Sequence, residues 1–326
     1  MTSLVVVWRV TEYCDLGCRF CGYSRSIQRP RCVAEPEQVR SFGAALGEYA
    51  AQSRREVLVS WLGGEPLRWP PVWDVSHQFK QEFQLRLGVT TNGTALESAT
   101  VRQRLAEDFD QLTISIDGLG HAHDAGRGAP GLFERLHANL QSLRAQTARL
   151  GRGPRVRVNT ILMRDNLLEF ESLGRAMAEW GVDELTFNAL GGRERPEFYR
   201  DHHLWPEQVA WLRQNLPGIR ARLAPLGLTL CGGERYLDRI DHSVGSLPIP
   251  VVDCQPGQRF LFVDEQGFAG PCSFTTQGYG VPICELRSAD DVARLPWLWA
   301  ERKRQTMLAP CFDCLSTNVF GKFAAA

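Results

Sequence analysis

The sequence predicts an α/β fold, in the form of a partial (β/α)6 TIM-like barrel followed by a small C-terminal domain made of a β-hairpin and a helix. Two observations favour this fold. Short apolar segments alternate with stretches of helical periodicity, the pattern of a parallel sheet with right-handed crossovers. Cysteine is confined to the two ends of the chain, with none between Cys32 and Cys231. A doubly wound sheet is the alternative arrangement of the same units.

The predicted strands of the barrel are six apolar segments, at residues 4–10, 56–61, 85–89, 112–116, 156–162 and 184–187. A helix is expected over 206–226, then a short strand over 227–230 and an irregular segment to residue 250. A hairpin with its turn at 264–267 and a helix over 289–307 complete the chain. These patterns divide it into a barrel (1–226), a linker (227–253) and an auxiliary domain (254–326).

Composition excludes some classes of function. The chain has 37 Lys and Arg and 37 Asp and Glu, so its formal net charge is zero. It therefore lacks the excess of positive charge that is typical of nucleic-acid-binding proteins. No signal peptide and no apolar run of membrane-spanning length is evident, so we expect a cytoplasmic protein. Ten cysteines without a secretory signal indicate metal ligands or redox groups more than a disulfide framework.

Three cysteines directly after the first strand form the most informative motif. Three residues separate Cys14 from Cys18, and two separate Cys18 from Cys21. A thiolate triplet can hold three irons of a cubane cluster and leave the fourth iron open for another ligand. Structural zinc and ordinary buried cysteines are the alternatives, although zinc sites usually take two close pairs of ligands.

This loop, with Gly22 and Tyr23 behind it, resembles the cluster loop of the radical S-adenosylmethionine (SAM) superfamily. The resemblance implies a [4Fe-4S] cluster that chelates SAM and cleaves it to methionine and a 5′-deoxyadenosyl radical, which then removes a hydrogen atom from the substrate. It also implies that Phe20 contacts the cofactor, and that an electron donor such as flavodoxin or ferredoxin serves the enzyme.

Residues at the carboxyl ends of the later strands are candidate cofactor contacts. Gly63 and Gly64 let the backbone approach a ligand, and the Glu65 carboxylate can pair with an ammonium group. In the resembling family a motif of this form binds the amino group of the methionine moiety. Similar Ser and Asn positions on the fourth and fifth strands of that family contact the ribose, which makes Ser115 and Asn159 candidates. Thr91 and Asn92, at the end of the third strand, are further candidates because small hydroxyl and amide groups can hydrogen-bond a carboxylate or a ribose. Turn chemistry is the alternative for each of these four.

The sixth strand runs into a loop that suggests substrate contacts. Asn188 stands at the strand end, and Arg193 lies in the charged segment that follows. An amide and a guanidinium group can both hydrogen-bond a polar substrate. A solvated loop is the alternative for the arginine.

Four later cysteines form a second complete ligand set, which consists of Cys254, Cys272, Cys311 and Cys314. Two pairs of thiolates also suit tetrahedral zinc. The segment nevertheless resembles the twitch domain of many radical SAM enzymes, a shorter relative of the SPASM domain, which implies one auxiliary [4Fe-4S] cluster.

Of the remaining cysteines, Cys32 and Cys284 are expected to be buried apolar groups. Cys231 is a candidate hydrogen donor, with a core position or a substitute ligand as alternatives.

Together these features predict a radical SAM oxidoreductase or epimerase with two clusters, with sulfur insertion as another outcome. The first strand begins within a few residues of Met1, so we expect no leader-binding domain and favour a small polar metabolite of a biosynthetic pathway, such as a sugar, aminocyclitol or nucleoside. A peptide-modifying maturase and a non-catalytic zinc protein are the alternatives.

Overall fold

The computed structural model describes residues 3–192, 194–245, 248–251 and 253–323. One mixed sheet organises the fold, and its strands are β1 (Leu4–Thr11), β2 (Val57–Gly63), β3 (Arg86–Thr91), β4 (Gln111–Ser115), β5 (Arg155–Leu162), β6 (Glu184–Ala189), β7 (Thr229–Leu230), β8 (Phe260–Val263), β9 (Phe268–Gly270) and β10 (Val281–Pro282). The six predicted barrel strands are thus confirmed, with boundaries that move by one or two residues.

Helices follow nearly every strand. They are α1 (Pro36–Ser53), α2 (Val72–Gln81), α3 (Ala99–Asp108), α4 (Gly120–Arg127), α5 (Leu132–Leu150), α6 (Phe170–Glu179), α7 (Pro196–His202), α8 (Pro206–Leu223), α9 (Glu234–Val244), α10 (Thr276–Tyr279), α11 (Ala289–Gln305) and α12 (Ala309–Phe312). Short 3-10 turns lie at Pro66–Arg68, Thr94–Glu97, Leu167–Glu169, Ala224–Leu226 and Ile283–Glu285.

The strand order is β10-β9-β8-β1-β2-β3-β4-β5-β6-β7. All neighbours from β8 through β1 to β7 pair in parallel, whereas β9 pairs antiparallel with β8 and β10. The predicted hairpin therefore exists, but its first strand also pairs with β1 along Val5 to Trp8. An unpaired strand edge is a template for pairing, so the hairpin extends the barrel sheet. The predicted domain boundary before residue 254 stays a prediction.

Alternating burial shows which face of the sheet carries the site. In β1, Leu4, Val6, Trp8 and Val10 are at most 1% exposed, whereas the residues between them are half-buried. Strands β2 and β5 alternate in the same way. A parallel sheet covered on both faces would be buried throughout. The half-buried face is therefore the open concave face of an incomplete barrel, called the lumen below.

One stretch expected to be irregular is a helix. Residues 234–244 form α9, whose inward face buries Tyr236, Leu237 and Ile240. This spacing of three and four residues is helical, and the prolines at 248 and 250 follow the helix end. The prolines and glycines around the segment masked its periodicity.

Candidate functional site

The three cysteines of the first motif lie in the loop between β1 and α1. Cys18 is 4% exposed, while Cys14 and Cys21 are half-buried. Backbone N–H groups point at two of the sulfurs: Leu16 N lies 3.5 Å from Cys14 Sγ, and Tyr23 N lies 3.4 Å from Cys21 Sγ. Hydrogen bonds to ligand sulfurs are a feature by which proteins tune iron-sulfur clusters.

A buried ion pair supports the third sulfur. Arg127, the last residue of α4, places Nη1 4.0 Å from Cys18 Sγ, and its Nη2 lies 2.6 Å from Asp117 Oδ2. The guanidinium also lies over the ring of Phe20, 5.3 Å from the centroid. The other carboxylate oxygen of Asp117 accepts a hydrogen bond from Ile161 N on β5. A positive charge held beside the thiols offsets the negative charge of a cluster.

Sequence reasoning missed this pair. Asp117 follows the fourth strand, where Asp-Gly is common turn chemistry, and a single arginine at a helix end gives no signal of its own. Only the fold, which brings position 127 to position 18, shows that Arg127 belongs to the site.

The thiols of Cys14, Cys18 and Cys21 suit a cluster whose binding releases their protons. Burial raises the pKa of Cys14 to about 12 and raises those of Cys18 and Cys21 as well. Iron binds the thiolate, so loading this loop releases protons from all three thiols. Three thiols, their N–H donors and a buried guanidinium are a suitable environment for the three-cysteine cluster that the sequence predicts.

Gly63 and Gly64 hold the end of β2 against the cysteine loop. A Cβ at Gly63 would come within 2.5 Å of Thr11 O, and one at Gly64 within 2.2 Å of Tyr13 O. Gly64 N donates to Thr11 O and Glu65 N to Tyr13 O, each at 2.7 Å. The glycines therefore allow a close approach between two backbone segments, one of which carries Cys14.

Glu65 is fully buried and is bound by the protein itself. Its Oε1 accepts hydrogen bonds from Thr91 Oγ1 at 2.7 Å and Leu67 N at 3.1 Å, and its Oε2 accepts one from Asn92 N at 2.7 Å. Burial raises the pKa of this carboxyl to about 7. The carboxylate thus joins the ends of β2 and β3, and its predicted pairing with the SAM ammonium group stays a prediction.

Replacing Glu65 with alanine should destabilise the fold by about 3 kcal/mol, because buried donors of Leu67, Thr91 and Asn92 would lose their acceptor. The control is Glu97→Ala, which removes an exposed partner of Arg135 and should change stability by about 0.5 kcal/mol or less. Urea unfolding of both variants checks this, and equal stabilities would contradict the assigned role of Glu65.

Asp15 is a third residue that sequence reasoning missed. Asn92 Nδ2 and Thr94 Oγ1 each donate to its carboxylate at 2.8 Å, and Arg68 Nε does so at 3.0 Å. Asn92 Nδ2 also lies 3.8 Å from Cys14 Sγ. These bonds fasten the start of the cysteine loop to the loops after β2 and β3, so the predicted candidates Thr91 and Asn92 lie beside the first cysteine.

Ser115 and Asn159 are brought together by the sheet. They are register partners on β4 and β5. Half-buried residues alternate with buried ones along both strands, and Ser115 and Asn159 belong to the half-buried set, so both face the lumen. Asn159 Oδ1 accepts hydrogen bonds from Thr186 Oγ1 at 3.2 Å and from Lys322 Nζ at 2.7 Å. Lys322 comes from the far end of the chain and gave no signal in the sequence.

Of the two predicted substrate contacts, Asn188 lies within the described residues and Arg193 does not. Asn188 Oδ1 accepts a hydrogen bond from Tyr236 Oη at 3.0 Å, so helix α9 positions this amide. Arg193 lies outside the described residues. Its neighbour Glu194 accepts a hydrogen bond from Gly22 N at 3.0 Å, which brings the loop after β6 onto the cysteine loop.

The four later cysteines line one cavity of about 470 Å³, beside β8 and the start of β1. Lys303 of α11, 9% exposed, also lines it and directs Nζ at Val251 O (2.8 Å) and at Cys254 Sγ (3.7 Å). Four thiols and an ammonium around one cavity are a donor set that fits an anionic cluster. Sequence reasoning did not identify Lys303.

The Cys-x-x-Cys segment is anchored from two sides. Asp313, between its two cysteines, accepts a hydrogen bond from Ile249 N and pairs with the buried Arg239 of α9, both at 3.2 Å. Cys314 N donates to Ile249 O at 2.9 Å. The helix that the sequence did not predict therefore positions part of the second ligand set.

The three remaining cysteines lie in different surroundings. Cys231 follows β7, is 2% exposed, and its N–H donates to Leu185 O on β6. Cys32 and Cys284 are exposed, so their predicted burial was wrong. Cys32 lies in a surface loop, and Cys284 lies in the 3-10 turn Ile283–Glu285.

Within residues 3–192, 194–245, 248–251 and 253–323, no three His, Cys, Asp or Glu side chains converge on the position of a single metal ion. Over the same ranges, no helix is long and apolar enough to cross a membrane.

The first part of the chain is similar to a known protein family. Residues 8–146 match the family model described as the radical SAM superfamily. An AdoMet-dependent heme synthase of Methanosarcina barkeri is 29% identical over 282 residues, which cover 83% of this chain and 76% of that protein.

Two more distant relatives match smaller parts. An Fe-coproporphyrin III synthase of Methanosarcina barkeri is 26% identical over 52% of this chain and 42% of its own length. The mycofactocin maturase MftC of Mycobacterium tuberculosis is 23% identical over 73% of this chain and 62% of its own length. The chain thus spans less than two thirds of both proteins.

The fold is similar to that of Streptococcus suis SuiB bound to S-adenosylmethionine, with a TM-score of 0.68 and 17% identity over 99% of this chain and 72% of that one. At this identity the likeness concerns the fold alone. None of the proteins named here is described as acting on a sugar, aminocyclitol or nucleoside, so the predicted substrate class has no support among them.

Proposed function

We propose, from the match of residues 8–146 to the radical SAM family model, that this chain is an enzyme that removes a hydrogen atom from a carboxylate-bearing tetrapyrrole. The observation that carries the chemistry is the loop after β1, where Cys14, Cys18 and Cys21 are held by N–H donors and by Arg127 at the open end of the sheet. When bound there, a [4Fe-4S] cluster with SAM supplies the electron and the 5′-deoxyadenosyl group for hydrogen abstraction.

The chain's own residues would position the reactants. The loops after β1, β2 and β3 are bonded to one another through Glu65 and Asp15, which keeps the three thiols and the end of β2 in one fixed arrangement. Phe20, beneath the guanidinium of Arg127, closes the apolar side of this loop. A rigid arrangement of this kind aligns a cofactor without further ordering cost.

The outcome of the reaction would depend on the C-terminal region. We assign the cavity lined by Cys254, Cys272, Cys311 and Cys314 to an auxiliary [4Fe-4S] cluster, with Lys303 as its buried counter-charge. A cluster held by these four thiols would provide an acceptor for the second electron, which would leave an oxidised product. Cys231, beside β6, is the residue we propose as hydrogen donor if the product is instead an epimer, and flavodoxin or ferredoxin is the proposed electron source.

The tetrapyrrole assignment is supported by the heme synthase that matches 83% of the chain. The competing candidate is a peptide substrate, favoured by the similarity to the mycofactocin maturase. Both candidates require the same cleavage of SAM, so one experiment can separate them.

The test uses anaerobically reconstituted protein with SAM, dithionite and iron coproporphyrin III. We expect 5′-deoxyadenosine to form together with loss of the tetrapyrrole in a constant ratio. Formation of 5′-deoxyadenosine with the tetrapyrrole unchanged would exclude this substrate class and favour the peptide. No 5′-deoxyadenosine above a control without protein, from a preparation with intact clusters, would contradict the proposed function itself.

A further inference from the structure

Lys322 reaches the lumen from the C-terminal segment of the chain. The segment folds into consecutive turns, in which Lys322 N donates to Thr317 O at 3.2 Å and Phe320 is 7% exposed. Lys322 is also 7% exposed, and its ammonium group bonds to Asn159 on the lumen face of β5. The amine therefore lies at the wall of the presumed reaction site, 163 residues away in sequence from its partner.

The surroundings of Lys322 carry more positive than negative charge. Arg157 of β5 faces it, and the two cations lie 4.7 Å and 5.1 Å from the ring centroid of Phe323. The nearby carboxylate, Glu184 of β6, is already paired with Arg155 and Arg157. The remaining ionisable neighbour is the thiol of Cys231, whose own pKa is raised by burial.

This situation distinguishes Lys322 from the other two lysines of the sequence. Lys80 pairs with Asp110, and Lys303 faces the thiols of the cavity described above. For Lys322, no ion pair with a carboxylate exists among the described residues, and its resolved polar partner is a neutral amide. A buried ammonium group without a counter-charge is costly, and the carboxylate of a bound ligand would supply that charge.

We propose that Lys322 binds a carboxylate of the substrate and holds the substrate against the wall formed by β5, β6 and β7. This inference rests on the proposed function, whose substrate carries carboxylates. SAM also has a carboxylate, but its methionine end is assigned to the loop after β2, which two strands separate from β5. The position of Lys322 therefore favours the substrate as the source.

Protonation gives this contact a pH dependence. Burial, together with the positive charge of Arg157, lowers the pKa of Lys322 to about 7, and Cys231 opposes this shift. Below pH 7 the side chain is an ammonium that attracts a carboxylate, and above pH 7 it becomes a neutral amine. Carboxylate binding should therefore weaken as the pH rises from 6 to 9, and Lys322→Arg should remove this dependence because arginine stays protonated.

The first test is an absorbance titration of the reconstituted full chain with iron coproporphyrin III and with its tetramethyl ester. We expect Lys322→Met to weaken binding of the acid about tenfold and to leave binding of the ester unchanged, the size expected for one charge-assisted hydrogen bond. Lys322→Arg should retain affinity for the acid at pH 7. Lys80→Met, which removes a lysine outside the lumen, should behave as the wild type.

A second arm keeps the inference separate from the tetrapyrrole assignment. If the wild type does not bind iron coproporphyrin III, propionate and propionamide are titrated calorimetrically into the wild type and Lys322→Met. Propionate should bind the wild type about tenfold more tightly than the variant, and propionamide should not distinguish them. This result would support carboxylate binding by Lys322 even though the tetrapyrrole had been excluded as the substrate.

Two results would overturn the inference. One is equal binding of the acid, or of propionate, by the wild type and Lys322→Met. The other is a tenfold rise in the KM for SAM in Lys322→Met with unchanged binding of both probes, which would assign the carboxylate to SAM. Should Lys322→Met fail to fold by circular dichroism, Lys322→Gln replaces it, and the same two criteria apply.

Discussion

Replacement of Cys18 by alanine is expected to reduce formation of 5′-deoxyadenosine to the level of a control without protein. Cys18 is the most buried of the three thiols in the loop after β1, and it is the one beside Arg127. Without it, a cluster in this loop would keep only two protein ligands, and its open iron could not be held in place for SAM. Chromatographic measurement of 5′-deoxyadenosine under reducing conditions checks the result.

The matched control for this prediction is Cys32→Ala, which removes an exposed cysteine later in the same connection between β1 and α1. It should cleave SAM at the rate of the wild type. If Cys18→Ala retains cleavage, or if both variants lose it equally, the assignment of the cluster to Cys14, Cys18 and Cys21 is wrong.

The double variant Cys311→Ala/Cys314→Ala should separate the two stages of the reaction. Cleavage of SAM should continue, because the first ligand set and the loops that support it are untouched. Conversion of substrate to an oxidised product should fall to background, because the second electron would lose its acceptor. Both quantities can be measured in one reaction mixture, as 5′-deoxyadenosine and as product by mass spectrometry.

Cys284→Ala is the control for this second prediction, since Cys284 is an exposed cysteine of the same region that does not line the cavity. Product formation that persists in the double variant would contradict an auxiliary role for these thiols. Loss of SAM cleavage together with product would indicate that the four cysteines stabilise the protein as a whole.

The strands of the barrel could be predicted from the sequence because each is an apolar segment of five to eight residues with its own local signal. Helix α9 could not, since its apolar positions lie between glycines and prolines that suggested an irregular linker. The pairing of β8 with β1 could not be predicted either. The strand that a hairpin joins depends on which edge of the sheet the fold leaves unpaired, and the local sequence does not show this.

The candidate site shows the same division. The cysteine spacing and the Gly-Gly-Glu loop are local patterns and could be read directly. Arg127 and Lys322 act across 109 and 163 residues of sequence, and a lone cation at a helix end or near a terminus gives no local signal. Charges of this kind become recognisable only when the fold shows what they are buried against.

The metal and sulfide content of the anaerobically reconstituted wild type tests the central claim most directly. Two cubane clusters, one on each set of cysteines, predict about eight iron atoms and eight acid-labile sulfides per chain. About four of each would support the cluster at Cys14, Cys18 and Cys21 and would contradict the proposed auxiliary cluster. Zinc without iron or sulfide would contradict the account, because neither set of thiols would then hold the group on which the proposed chemistry depends.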